Sequence, residues 1–457
     1  MAAAMKYQKI IKYLVTAVCA QPLHIGSVSG DKEEVLVHPT DDMPFIQASS
    51  LAGVLRQYYT ATHGEKQAEG LFGARRFETD DNAGDGASRV RFGDGVFSGK
   101  DLMLELRPRV KIDPMTGTCD SGAIKGTNRQ AGHKFQMESI GAGAEFGFPV
   151  YLYDERFQAD LEEVLAAVHQ GSVQFGGQKS NGCGFMKLRS LRRRTFDMTC
   201  REDRAAWAGE ETLTEQAYED ITDGLKTAAR MAAAYEVTVT GSTEGELLVK
   251  SIAVEECGKD APDSMNIRNA AREYIVPGSS LKGAVRNQME RIASYLGNAE
   301  VVAATFGRTG DTRDNGIAGN IVFRDTVVGN REDNDRAKNR SRIHLDKFTG
   351  GVMYGGLFQE KNVSGAVEFS ILIQDRNHPD SSCGLLLMAL RDMAAGMMSV
   401  GGGYNVGKGI IDVDRIEVKD CRSGKRAVIV FQTGQTEDES GIIARCMRAV
   451  RQGEATA

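Results

Sequence analysis

From Tyr7 to Thr16 apolar and polar residues alternate roughly one for one, and the segment runs straight into Leu23-His24-Ile25-Gly26. A period of two predicts a first β-strand here, although the short apolar stretch from Ile10 to Ala20 beside lysines also has the look of a secretory signal. After it the pattern predicts an irregular acidic loop, a helix opened by serines, further strands, a long loop, a strand, a helix, a glycine-rich loop and a closing strand. Strands mixed with few helices imply an α+β sheet domain. No apolar run reaches the ~18 residues that a membrane-spanning helix needs.

This series of elements occurs twice. Pro44 to Arg56 (PFIQASSLAGVLR) returns as Tyr274 to Arg286 (YIVPGSSLKGAVR), and VRFGD from Val90 returns as IVFRD from Ile321. LFG from Leu71 returns as TFG from Thr305, and RVKIDPMTG from Arg109 as RIHLDKFTG from Arg342. The segment Phe135 to Phe146 matches Phe358 to Phe369, and each half closes on a glycine loop, Phe175 to Phe185 and Val400 to Ile410. Six matches in one order make the chain two copies of one domain, 1–195 and 233–457. The stretch between them, 196–232, is charged, poor in strand pattern and contains Trp207, and it is expected to be a helical connector.

Composition narrows the function. The 457 residues are 41% hydrophobic and 26% charged, with a mean hydropathy of -0.32, which describes a water-soluble globular protein. Glycine is high at 52 residues, against about 7% in an average protein, so many backbone sites need its permissive dihedrals. A net charge of -6 excludes nonspecific coating of nucleic acid, which depends on a large positive excess; any such role needs locally placed cations. The eight cysteines form no C-x-x-C pair and read as reduced thiols of a cytosolic protein.

Three features carry possible chemistry. The tract S-S-L-x-G-x-x-R puts Ser49, Ser50, Ser279 and Ser280 at helix N-termini, where hydroxyls cap free amides and the amides can hold a phosphate. Arg56 and Arg286 follow two turns later on the same face, so the tract reads either as an anion site or as a capped structural helix. The loops around Gly177-Gln178-Lys179-Ser180 and Gly402 to Lys408 depart from a phosphate-loop NTPase motif, because Gln178 precedes Lys179. They are expected to bring backbone close to a ligand strand, with Lys179 or Lys408 neutralising phosphate. Thirdly, Asp263 and Asp31 lie in acidic loops before the two serine helices, where a carboxylate can hold a divalent ion or orient an attacking ribose hydroxyl. His24 could act as a general base, but it has no counterpart near Thr240 and reads as a packed strand residue. With 7% aromatics and no run of ring residues, contact with nucleic acid is expected mainly at the backbone.

The paired S-S-L-x-G-x-x-R tracts, the R-x-x-x-D-x-x-T-G tracts from Arg109 and Arg342, and the two glycine loops resemble the RAMP superfamily of CRISPR systems. The likeness is closest to backbone subunits of type III effector complexes, and the tandem arrangement resembles type III-D variants. This resemblance implies two ferredoxin-like, RNA-recognition-type domains stacked along a CRISPR RNA with other subunits, in a prokaryotic cytoplasm and without a membrane. It further implies metal-dependent cleavage of complementary target RNA, with Mg or Mn as cofactor and a loop aspartate at each site: Asp263 in the context D-S-x-x-I-R, and Asp31, whose place Glu33 could take. Ser49, Ser50, Arg56, Gly177, Lys179, Ser180, Ser279, Ser280, Lys282, Arg286, Gly402 and Lys408 are then the expected RNA-binding residues. Two other readings stay open: a structural RNA-binding subunit without chemistry, and a metal-independent guide-processing nuclease, which would normally need a catalytic histidine and a single glycine loop.

Overall fold

The computed structural model describes residues 7–29, 32–74, 86–99, 102–110, 121–123, 130–132, 134–210, 213–226, 233–251, 261–308, 316–329 and 338–452. Each half is built on one long strand whose alternation buries one face. In Lys9–Cys19 the residues Ile11, Tyr13, Val15, Ala17 and Cys19 are almost wholly buried. Ala233–Glu244 does the same with Tyr235, Val237 and Val239.

In the second half the sheet order is Ile321–Phe323, Ala366–Gln374, Ala233–Glu244, Ile410–Asp420. Helices Gly278–Leu296 and Pro379–Ala394 supply Leu281, Val285, Leu386 and Leu390 to the core beneath it. In chain order one helix follows Ala233–Glu244 and the other follows Ala366–Gln374, which is the βαββαβ ferredoxin-like arrangement. The first half repeats it, with Lys9–Cys19 between Glu145–Leu152 and Met186–Asp197, Val90–Phe92 beyond, and helices Ala48–His63 and Gln158–His169. Even an irregularity repeats: the central strand shifts register against its partner at Thr16/Ala17 in one half and at Thr240/Gly241 in the other. The α+β fold expected from the sequence is therefore present in both copies.

The connector region contributes a helix, Arg201–Ala208, whose Trp207 packs edge-on against Tyr151 and Phe196 of the first sheet. It also lets that sheet bury a lysine: Lys12 is 6% exposed, and its ammonium lies 3.2 Å from Glu210. The six cysteines among the described residues are free thiols.

Two features built out of each sheet set up the functional surface. One is a hairpin: Leu104–Val110 with Lys134–Ile140 in the first half, and Lys338–Leu345 with Val352–Asn362 in the second. The other is the glycine loop. The first loop lodges on the second half, where Gly182, at φ 83°, faces Phe323; a Cβ there would stand 2.3 Å from the Phe323 carbonyl oxygen. Opposite it, a Cβ on Gly278 would stand 2.8 Å from the Asn181 carbonyl oxygen. Glycine at these two positions lets the backbones of the two halves touch.

Gly182→Ala is therefore expected to cost well over the roughly 1–2 kcal/mol that a left-handed alanine carries by itself. The matched loop position Gly407, at φ 77° with open space around it, supplies the control. Urea denaturation of the two alanine variants measures the difference, and equal midpoints would mean that the halves do not meet this closely.

Candidate nucleic-acid interface

The serines do not cap their helices. Gln47 and Pro277 occupy the cap positions without a side-chain hydrogen bond, and the serines stand inside the first turn. The cap is instead a carboxylate from the end of a neighbouring strand: Ala48 N donates to Asp94 Oδ1 at 2.7 Å, and Gly278 N donates to Asp325 Oδ1 at 2.8 Å. A negative charge at a helix N-terminus is stabilised by the free amides and the dipole, so the place assigned to phosphate is taken by Asp94 and Asp325. The VRFGD and IVFRD repeat held this information, since both tracts end in the capping aspartate.

Asp325 also reaches across to the first half. Arg107 Nη1 stands 2.5 Å from Asp325 Oδ2, an ion pair rather than an aligned hydrogen bond. Arg107 donates to Glu105 Oε2 from Nε at 2.8 Å and from Nη2 at 2.5 Å, and Glu105 Oε1 accepts from Ala270 N of the second half at 2.6 Å. Glu105 and Arg107 are 8% and 7% exposed, so this chain of charges is sealed between the halves.

Around it gather several of the expected RNA-binding residues. Lys282 of the second serine helix donates to Ser180 Oγ of the first glycine loop at 2.7 Å. Burial, then the nearby Arg286 and Arg109 charges, push its ammonium down to about 8. Burial and the Arg376 charge likewise lower Lys179. Arg109 Nη1 donates to Gln178 Oε1 at 2.5 Å, and Ser279 lines a small cleft with Arg107, Arg109, Asn181 and Asp325. Ser280 is half-buried next to Ser279. Cations from both halves thus converge on the first glycine loop, with hydroxyl and amide groups among their partners, an arrangement suited to a backbone phosphate.

Other candidates are engaged elsewhere. Arg56 pairs with Glu65 at 3.2 Å with its side chain 14% exposed, and Arg286 pairs with Glu290 at 2.7 Å while staying half-exposed. Ser49 is exposed and Ser50 half-buried. Lys408 is 4% exposed and donates to Glu360 at 2.6 Å and Asn362 at 3.0 Å, so it anchors the second hairpin rather than meeting a ligand. The Gly177 and Gly402 amides are spent on their own halves, donating to the carbonyls of His24 and Leu248 at 2.8 Å each. His24 is buried against this loop, with Nδ1 2.7 Å from the Glu138 carbonyl oxygen, which fits its reading as a packing residue.

Asp263 is exposed at the base of the second hairpin. Its amide donates to the Gln359 carbonyl at 2.8 Å, and its Oδ2 accepts from Gln359 N at 2.7 Å, which fixes the carboxylate on the hairpin edge. Asp31 lies outside the described residues. Strand register nonetheless separates the two: Arg107 and Arg340 face Met137 and Glu360, which in turn bridge to Glu33 and Ser264. By this backbone register Lys32 is the residue matched to Asp263. Among the described residues there is no group of three or more side chains that could hold a metal.

The second hairpin shows what composition obscured. Its outer face exposes Ile343, Leu345 and Leu357, and Phe348 and Tyr354 at its tip are 98% and 108% exposed. Two rings at a tip offer stacking surfaces without any aromatic run in the sequence.

A family model described as the RAMP superfamily matches residues 16–187 and 258–412, once per half. The chain belongs to the RAMP superfamily. No curated protein matches it. Among solved structures it is similar to a chain of the type III-B Cmr-beta complex bound to cognate target RNA, at 18% identity and a TM-score of 0.31, over 40% of this chain and 61% of that one. Each RAMP match runs through its glycine loop and stops just past it, so the junction cluster joins the end of one RAMP domain to the serine helix of the next. No helix among the described residues is long and apolar enough to cross a membrane.

Removing Arg107 leaves two buried carboxylates without their cation, so Arg107→Ala is expected to cost about 3–5 kcal/mol. Asp325→Asn, which keeps an acceptor for Gly278 N, is expected to cost less. Denaturation midpoints of both variants, read with the rate of proteolytic cutting in 196–232, check the order; an unaffected Arg107→Ala would remove this ion pair from the account of the junction.

Proposed function

We propose that this RAMP protein is a guide-binding backbone subunit of a type III CRISPR effector complex, acting in the prokaryotic cytoplasm, and that its second half cleaves complementary target RNA. The observation that carries the binding part is the cluster of Lys179, Lys282 and Arg109 about the first glycine loop in a chain of net charge -6. The positive charge is placed locally: Lys282 donates to the Ser180 hydroxyl and Arg109 to the Gln178 amide oxygen. Such a site neutralises phosphate without reading bases, while Phe348 and Tyr354 at the hairpin tip offer faces on which bases stack.

For cleavage the supporting residue is Asp263, the exposed carboxylate that the Gln359 amide orients. A Mg or Mn ion, when bound, would supply Lewis-acid stabilisation of charge on the scissile phosphate. Asp263 would hold it as a single protein carboxylate, with RNA phosphates and water completing its shell, as is usual for Mg. The cations of the junction cluster hold the RNA backbone; Gln359 keeps the Asp263 oxygen in place.

Two outcomes are expected. RNA retention should weaken several-fold between pH 7 and 9.5, because Lys282 is charged below about 8 and loses its proton above it, while phosphodiesters stay anionic. Lys282→Met should be weaker throughout and lose that part of the pH dependence, as filter binding at fixed ionic strength will show. In the assembled complex with labelled complementary RNA and Mg or Mn, Asp263→Asn should abolish one cut with target affinity kept within about threefold. Asp31→Asn tests whether the first half cuts elsewhere. Unchanged cleavage in both single variants and the double variant would make the chain a structural subunit.

A further inference from the structure

Two lysines drawn into this fold meet opposite surroundings. Lys12 lies against Glu210 at 3.2 Å, and although burial opposes its charge, that carboxylate holds its ammonium above the ordinary lysine range. Lys282 has no carboxylate paired with it among the described residues; its ammonium meets the Ser180 hydroxyl at 2.7 Å, and Arg286 and Arg109 add repulsion to the burial. A desolvated amine beside other cations sheds its proton near neutrality and becomes a nucleophile. With its ammonium pushed down to about 8, roughly a quarter of Lys282 is the free amine at pH 7.5, against about one part in a thousand for an ordinary lysine. The same surroundings draw anions. Ser279, one turn before Lys282 on the same helix face, lines a narrow cleft with Arg109 and Asn181, and the Asp325 carboxylate in that wall is already engaged by Gly278 N and Arg107.

We infer that Lys282 is a site of direct acylation by acyl phosphates, small anions in which a phosphate is bonded to the carbonyl carbon that an amine attacks. This rests on the reading of the junction cluster as a phosphate site: the cations recruit the phosphate end, so the carbonyl carbon bonded to it arrives next to the Lys282 amine. The nitrogen lone pair adds to that carbon and a carbon–nitrogen bond forms. The carbon–oxygen bond to phosphate breaks, phosphate departs with its electron pair, and the proton lost from nitrogen passes by way of the Ser180 hydroxyl to water. Nothing is oxidised or reduced, and no further reactant is needed. The product is a neutral amide, so the cluster loses one cation at the place where the two halves meet.

Acetyl phosphate is the probe. The RNA-free full chain is incubated with it at pH 7.5, and acetylation of each lysine is followed by peptide mass spectrometry, with the exposed Lys66 and Lys187 as references. Lys282 should react at least tenfold faster than either, and an excess of inorganic phosphate should slow it several-fold while leaving the references unchanged. Its rate should climb between pH 7 and 9 and level off above that, because Lys282 loses its proton around 8. A rate no greater than that of Lys66 and Lys187 would overturn the proposal, and a fast rate indifferent to phosphate would overturn recruitment of the reagent by the cluster. The acetylated chain is then taken into filter binding, where RNA retention should fall to that of Lys282→Met. Selective acetylation with RNA retention undiminished would leave the modification site standing and remove Lys282 from the proposed RNA site, so the two readings fail separately.

Discussion

The carboxylate of Asp325 does two jobs with its two oxygens, and the arrangement of the molecule depends on both. One oxygen terminates the second serine helix at Gly278 N; the other faces the Arg107 guanidinium of the first half. Helix start and domain contact are therefore one object. Because Arg107 is itself clamped by Glu105, which holds Ala270 N, no member of the series can leave without stranding a buried charge. The two domains share a fixed register for this reason, and the connector need only span them.

That register decides where the positive charge gathers. With Gly182 and Gly278 letting the backbones touch, Ser180 comes to Lys282, and Lys179 comes near Arg376. Burial without a neighbouring carboxylate holds the Lys282 proton loosely, an expense that a bound phosphate would relieve.

The glycine loops show how one motif divides its labour. In both, residues such as Gly177 and Gly402 donate to the chain's own carbonyls and lock the loop against its own half. In the first, Gly182 additionally meets the other domain. In the second, Lys408 replaces Cys183 and turns inward to hold Glu360, which stiffens the hairpin carrying Phe348 and Tyr354.

The sequence by itself determined the two-copy organisation and the α+β order of elements, because alternation, turn glycines and the serine tracts are local signals that recur in both halves; the ferredoxin-like arrangement came through the family resemblance. It also marked Asp263, Lys282, Ser180 and the glycine loops as places of interest. Only the tertiary structure decided which of them meet. Asp94 and Asp325 act as caps from strands more than forty residues away, a pairing no local pattern encodes. Lys408 and Lys179 look alike in the sequence, yet one is neutralised by Glu360 and the other stands beside Arg376. The match of Lys32 to Asp263 appears only in backbone register, which pairing with a distant hairpin sets.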